Sequence, residues 1–227
     1  MMGKTGYRTL RENVTDAIRM KIISQELKPG DRIIEAEMAK EFEASRGPIR
    51  EALRQLENEG LIEYTRNVGC SVKTITIEDT YEIYLMKTGY ETMAVKLLDG
   101  KVPAETIGRM ETILERMKGL DAEHYEAVFL CDNEFHGEPV RMVNMPRLYH
   151  AWNQLSYGNI LTGYGQDLDR GIVASRQHLL HKEIMDACYT GETHVICRAI
   201  SEHYLKTLDW LMKEQGSENV FSWDFLL

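Results

Sequence analysis

Between Tyr7 and Leu27, apolar side chains at Leu10, Val14, Ala17, Ile18 and Ile22 recur at helical spacing, which predicts a first helix of about five turns. Lys28-Pro29-Gly30-Asp31 is a turn signal that stops it. A short second helix is expected through Met38, Ala39 and Phe42. In the next segment Ile49, Ala52, Leu53 and Leu56 fall at i, i+3, i+4 and i+7, one apolar face of a third helix. Ser45 is placed to cap it, Pro48 fits its first turn, and Asn58-Glu59-Gly60 ends it. Leu61 to Tyr64 and Cys70 to Lys73 read as two strands of a hairpin with Gly69 near its tip. Helix, helix, helix, hairpin is the order of a winged helix-turn-helix.

From Thr76, which forms a helix-start signal with Asp79, the pattern changes. Helical stretches of apolar residues are separated at Asp99 to Pro103, Gly119 to Asp121, Asn144 to Pro146, the glycine-rich Gly158 to Gly171, and Thr190-Gly191. No strand-like alternation persists. The expected fold is therefore mostly α: a winged helix-turn-helix over residues 1–76, then an all-α antiparallel bundle of six to seven helices over 77–227. These five breaks bound six helices.

Two sets of polar residues sit where that pattern gives them a purpose. Arg46, Arg50 and Arg54 recur every four residues and share a stripe beside the apolar face of the third helix. Such a row is often just a solvated face. On the third helix of a winged helix-turn-helix it is placed to grip phosphates or guanine edges in a major groove. The second set lies on apolar faces: Asp132 and His136 with Val128 and Phe135, His181 with Ile184, Met185 and Cys188, and His203 with Ile196, Ala199 and Ile200. One inward histidine is usually a hydrogen-bonded core residue. Four inward polar groups would each cost on the order of a few kcal/mol if uncompensated. A divalent cation coordinating all four removes that cost. Asp132 and His136 lie one turn apart, and His181 and His203 could face each other across a turn at Gly191. Three imidazoles and a carboxylate suit Zn, Ni, Mn or Fe and leave positions open for water or a ligand carboxylate.

Charge modifies this picture by region. The 227-residue chain carries −9 overall, but residues 1–76 hold 13 Lys and Arg against 12 Asp and Glu, so the acid load lies in the second half. Local charge is what meets phosphates. Cys70, Cys131, Cys188 and Cys197 lack metal-site or disulfide-scaffold spacing, and no stretch approaches the apolar run of about twenty residues that spans a bilayer. A cytoplasmic protein without a membrane partner is the expectation.

The strings Leu27-Lys28-Pro29-Gly30-Asp31-Arg32-Ile33, Met38-Ala39, Ser45-Arg46-Gly47-Pro48-Ile49-Arg50-Glu51-Ala52-Leu53, Glu59-Gly60-Leu61 and Asn67-Val68-Gly69 resemble the GntR family of bacterial transcription regulators. The resemblance implies that Arg46 and Arg50 make base-edge and phosphate contacts and that Gly69 lets the wing approach DNA closely. Gly47 stands where the family has Thr, Val68 where the wing usually carries Arg, and Ala36 where some members have Arg; Arg66 is a substitute for the wing arginine. The second half resembles the FCD effector domain of the FadR subgroup, through Asp132-x-x-x-His136, Asn144-x-x-x-Leu148, His181-x-x-Ile184-x-x-Ala187 and His203. Six helices would match its smaller, VanR-like variant. That likeness implies a metal-bound small carboxylate effector. Lys87, where the family usually has Arg, together with Arg170 and Arg176, could meet the effector's charge, and His178 could support or replace a ligand. Leu180 replaces the Glu that often precedes the third ligand. His124, His150 and His194 carry no assigned role.

The first functional reading is a homodimeric repressor whose grip on a double-stranded DNA operator responds to a carboxylate at the metal. A constitutive DNA-binding protein with a structural metal is the second. A metal-dependent hydrolase is the third, weakened because Glu134 points away from the Asp132/His136 face. A non-enzymatic regulator is expected.

Overall fold

The computed structural model describes residues 9–66, 68–164, 168–214 and 216. They divide into two compact units, Met1–Ile75 and Thr76–Leu227.

In the first unit the elements run α1 (Leu10–Ile23), β1 (Arg32–Ile33), α2 (Glu35–Glu41), α3 (Arg46–Asn58), β2 (Ile62–Thr65) and β3 (Gly69–Val72). A capping box begins α1: Thr9 Oγ1 accepts the Glu12 N–H at 3.2 Å while the Thr9 N–H donates to Glu12 Oε2 at 2.7 Å. Tyr7, the expected start, lies outside the described residues. The helix also stops a turn earlier than its periodicity predicts, because Gln25 turns left-handed (φ 60°) and the Leu27 N–H closes back onto the Lys21 carbonyl at 2.9 Å. Val14, Ile18 and Ile22 from α1 pack with Ile49, Leu53 and Leu56 from α3, all essentially solvent-free. Ser45 occupies the N-cap of α3 with an extended backbone but makes no side-chain cap hydrogen bond, contrary to expectation. The hairpin is one strand richer than the sequence implied. Arg32 and Ile33 pair antiparallel with Ser71 and Cys70, giving the order β1-β3-β2. Two residues are too few for a periodic signal.

The second unit contains α4 (Ile77–Leu97), α5 (Ala104–Lys118), a 3-10 turn (Ala122–His124), α6 (Tyr125–Met142), α7 (Pro146–Gln154), α8 (Ser156–Tyr164), α9 (Arg170–Thr190) and α10 (Thr193–Glu214). Thr76 and Asp79 form the expected capping box. Seven α-helices among the described residues fall within the expected six to seven and exceed by one the six that the breaks bound. The glycine-rich break conceals α8, where Gly158 is helical and sits so close to Ile83 of α4 that an added Cβ would lie 2.6 Å from its Cδ1. Here glycine permits close packing and does not end a helix. Helix α4 packs along α10 and also meets α6, α7 and α8; α9 and α10 lie against each other across the left-handed Gly191 (φ 66°). The apolar core of this unit is built on Phe135, Ile184, Met185, Ile196, Ile200 and Leu208.

Candidate nucleic-acid interface and metal centre

Burial of Ile49, Ala52, Leu53 and Leu56 turns the rest of α3 outward, and Arg46, Arg50 and Arg54 are exposed there. Gly47 faces open space, with no atom within 4 Å of an added Cβ. In the wing Arg66 is exposed, and Gly69 adopts φ 107°, a backbone angle that side chains rarely allow. Asn67 lies outside the described residues. Val68 is exposed, and its carbonyl accepts from the Arg32 guanidinium. Sequence reasoning missed the partners of Arg50. Its Nε and Nη2 donate to the two carboxylate oxygens of Glu35 at 3.2 and 3.0 Å, and the Tyr64 hydroxyl donates to Glu35 Oε1 at 3.0 Å. Hydrogen bonding to Arg50 holds the Glu35 carboxyl below its usual range despite partial desolvation.

In the second unit, α6 delivers Asp132 and His136, α9 His181, and α10 His203, all buried. One ligand atom from each lies within 4.8 Å of all the others. His181 Nε2 is 3.1 Å from Asp132 Oδ1, His136 Nε2 is 3.2 Å from His203 Nε2, and His136 Nε2 is 3.9 Å from Asp132 Oδ1. The surroundings fix which nitrogens can carry protons. His136 Nδ1 lies 2.8 Å from Glu91 Oε2, which can only accept, so that nitrogen donates and Nε2 presents a lone pair. His181 Nδ1 donates to the Gln177 carbonyl at 2.8 Å, leaving its Nε2 lone pair aimed at Asp132 with no hydrogen-bond partner despite the short approach. Lone pairs thus converge on one buried point. A proton on His181 would satisfy Asp132 alone, whereas a cation satisfies all four groups. The donor set therefore fits a divalent metal.

Glu91, on α4, was not anticipated. Its Oε1 accepts from Trp152 Nε1 at 2.8 Å and from the Tyr204 hydroxyl at 2.7 Å, while Oε2 holds His136. The available signal was phase: Tyr84, Lys87, Thr88, Glu91 and Val95 form one stripe of α4, and all are buried. Burial would raise the pKa of Asp132, but positive charge at this point, from a proton on His181 or His136 and from Lys87 beyond them, holds it well below the usual carboxylate range. Burial, then the neighbouring His181 and His136, push His203 well below the usual imidazole value, which keeps it neutral and able to coordinate.

The three cations expected near an effector separate. Lys87 is wholly buried; its Nζ donates to Asn133 Oδ1 at 2.9 Å and lies 5.0 Å from the Trp152 ring centroid, and burial lowers its pKa. Arg176 lines a cavity that also exposes Asp132, His203, Tyr84, Tyr204 and Trp210. Arg170 does not line that cavity and instead stacks 5.0 Å over Tyr125. His178 lies outside the four-ligand cluster, with its pKa lowered by burial. His124 pairs with Asp121 at 2.8 Å, and His150 and His194 are exposed. Glu134 pairs outward with Arg116 at 2.8 Å, away from the cluster.

Residues 10–72 match the gntR family of bacterial regulatory proteins, and residues 82–206 match the FCD domain. An HTH-type transcriptional regulator of Bacillus subtilis, YdhC, is 38% identical over 98 residues, which is 43% of this chain and 44% of that relative, so the match spans less than half of its length. A probable D-xylose utilization operon transcriptional repressor of Paenarthrobacter nicotinovorans is 28% identical over 200 residues, 86% of this chain and 85% of its own. Among solved structures, a putative GntR regulator from Rhodococcus sp. RHA1 superimposes with a TM-score of 0.77 at 20% identity, covering 92% of this chain and 99% of that one, which shows a shared fold. No helix among the described residues is long and apolar enough to cross a membrane. A gntR helix-turn-helix domain followed by an FCD domain, in a chain whose relatives are named as regulators, makes this protein a member of the GntR family of bacterial transcription regulators and not an enzyme.

Proposed function

We propose that this regulator is a cytoplasmic repressor whose affinity for a DNA operator is set by a small carboxylate bound at a divalent metal in the second unit. One observation carries the reading: four buried ligand atoms within 4.8 Å, two of them held with lone pairs inward by Glu91 and the Gln177 carbonyl. Asp132, His136, His181 and His203 would hold the metal. When bound, the ion supplies a fixed positive charge with open coordination positions, to which a carboxylate is attracted. In the first unit Arg46, Arg50 and Arg54 on α3, with Gly47, Arg66 and Gly69, would form the DNA-contacting surface. A homodimer is supported by an apolar stripe on α4, where Met86, Met93 and Leu97 are 45%, 48% and 54% exposed. Two copies would present two recognition helices to half-sites of a palindrome about one helical turn apart. The effector can shift operator affinity only through its differential affinity for the DNA-competent and DNA-incompetent states. The repressor sense is taken from the xylose-operon relative.

The test is elemental analysis of the purified protein followed by gel-shift titration with small carboxylates, with and without chelator. About one divalent ion per chain, and a carboxylate effect on DNA affinity that vanishes on chelation, are expected. DNA affinity indifferent to every carboxylate but a metal-dependent melting temperature would leave a structural metal in a constitutive binder. No bound metal would overturn the metal-dependent reading.

A further inference from the structure

The cavity among α6, α9 and α10 carries Asp132 and His203 at one end, and Arg176, its guanidinium 4.1 Å over the Trp210 ring, at another. Among the described residues the Arg176 guanidinium has neither a hydrogen bond nor an ion pair; Glu214 acts on it only through its field. A half-buried guanidinium normally offers its five donors to an acceptor, and it meets a carboxylate in a bidentate fork better than any other side chain does. The other cations nearby are committed, Lys87 to Asn133 and Arg170 to the face of Tyr125. His203 and Trp210 are seven residues apart on α10, which puts the two ends about 10 Å apart on nearly the same face of that helix. Leu180 and Leu211 contribute apolar wall.

We propose that the effector is a dicarboxylate, with one carboxylate at the metal end and the second paired to Arg176. This rests on the metal-site reading for its first carboxylate; the Arg176 end stands on its own geometry. With the contacts at both ends included, the spacing suits a carbon chain of about four to six atoms. Stacking on Trp210 fixes the plane of the guanidinium before the ligand arrives, so less freedom is lost on binding than a mobile surface arginine would lose. The selectivity is therefore built into the protein: a monocarboxylate of equal length leaves the Arg176 donors without an acceptor, and a diacid fills them.

Isothermal titration of the metal-reconstituted full chain with succinate, glutarate and adipate, each against butyrate, pentanoate or hexanoate of the same length, reads this directly. At least one diacid is expected to bind roughly ten- to a hundredfold more tightly than its monoacid. Arg176→Gln should erase that gap while leaving monoacid affinity nearly unchanged, and Arg176→Lys should keep part of it. Equal affinities for diacid and monoacid in the wild-type protein, an absence of diacid binding, or a gap that survives in Arg176→Gln would each overturn the proposal. The wild-type comparison requires no variant to fold. Repeating it after chelation separates the two readings. A diacid preference that persists without metal and still disappears with Arg176→Gln supports the Arg176 assignment while the metal-dependent reading fails.

Discussion

A single carboxylate, Glu91, holds three donors on two oxygens and thereby orients His136. Glutamine at this position has one acceptor oxygen and one amide that can only donate, so it cannot serve His136 on one side and Trp152 with Tyr204 on the other. Either the imidazole turns its proton inward or the indole and phenol lose their acceptor. Glu91→Gln should therefore weaken metal binding about ten- to a hundredfold, read by competition with a chromophoric chelator. Unchanged affinity in a folded variant would mean that Glu91 only fills space. Arg50 illustrates the same dependence at the proposed DNA face. Arg50→Ala should weaken operator binding by roughly ten- to a hundredfold in a gel-shift titration, with no change in melting temperature expected for an exposed side chain. Glu35→Gln acts in the opposite direction: it removes an anion beside Arg50, so binding to unrelated duplex DNA should tighten and discrimination should fall. The buried cluster of Asp132, His136, His181 and His203 was legible in the sequence because charge and imidazole on an apolar face contradict the pattern. Glu91 and Glu35 were not singled out, since their importance depends on side chains 45 and 15 residues away.

Among the elements, helices announced themselves wherever apolar periodicity was bounded by glycine, proline or a capping residue, and α4, α5, α6, α9 and α10 follow the breaks closely. The failures share a cause. Helix α8 was hidden by glycines that serve packing, β1 is too short to have a period, and the end of α1 is set by a left-handed Gln25 that periodicity does not register. Gly137 belongs to the same class. It lies on α6 next to His136, and a Cβ there would fall 2.9 and 3.1 Å from the Trp152 ring of α7. A rigid indole cannot retreat as a flexible side chain could, and this indole donates to Glu91. Gly137→Ala should cost about 1–3 kcal/mol of stability and loosen metal binding in the same variant. Denaturant unfolding measures the first and chelator competition the second. Loss of stability with metal affinity intact would show that the α6/α7 contact does not reach the metal centre through Trp152 and Glu91.

For the whole molecule, the Asp132, His136, His181 and His203 cluster is a cost to the second unit unless an ion fills it. Buried polar groups are tolerated when each has a partner, and among the described residues His181 Nε2 has no hydrogen bond. An ion that binds the folded chain and not the unfolded one stabilises by an amount set by its concentration relative to its dissociation constant, about 3–4 kcal/mol at a hundred- to a thousandfold excess. For a unit of this size that corresponds to roughly 5–15 °C in melting temperature. Excess chelator should therefore lower the midpoint by several degrees, and adding back a divalent ion should restore it. His181→Ala supplies the control, because it deletes one of four ligands and the nitrogen left without a hydrogen bond. The variant should melt like stripped wild-type protein and gain little from added metal. Should it instead match the loaded wild type and retain full metal occupancy on elemental analysis, the cluster would be an Asp132-centred hydrogen-bond network and not a metal centre, and DNA binding by the first unit would need another source of control.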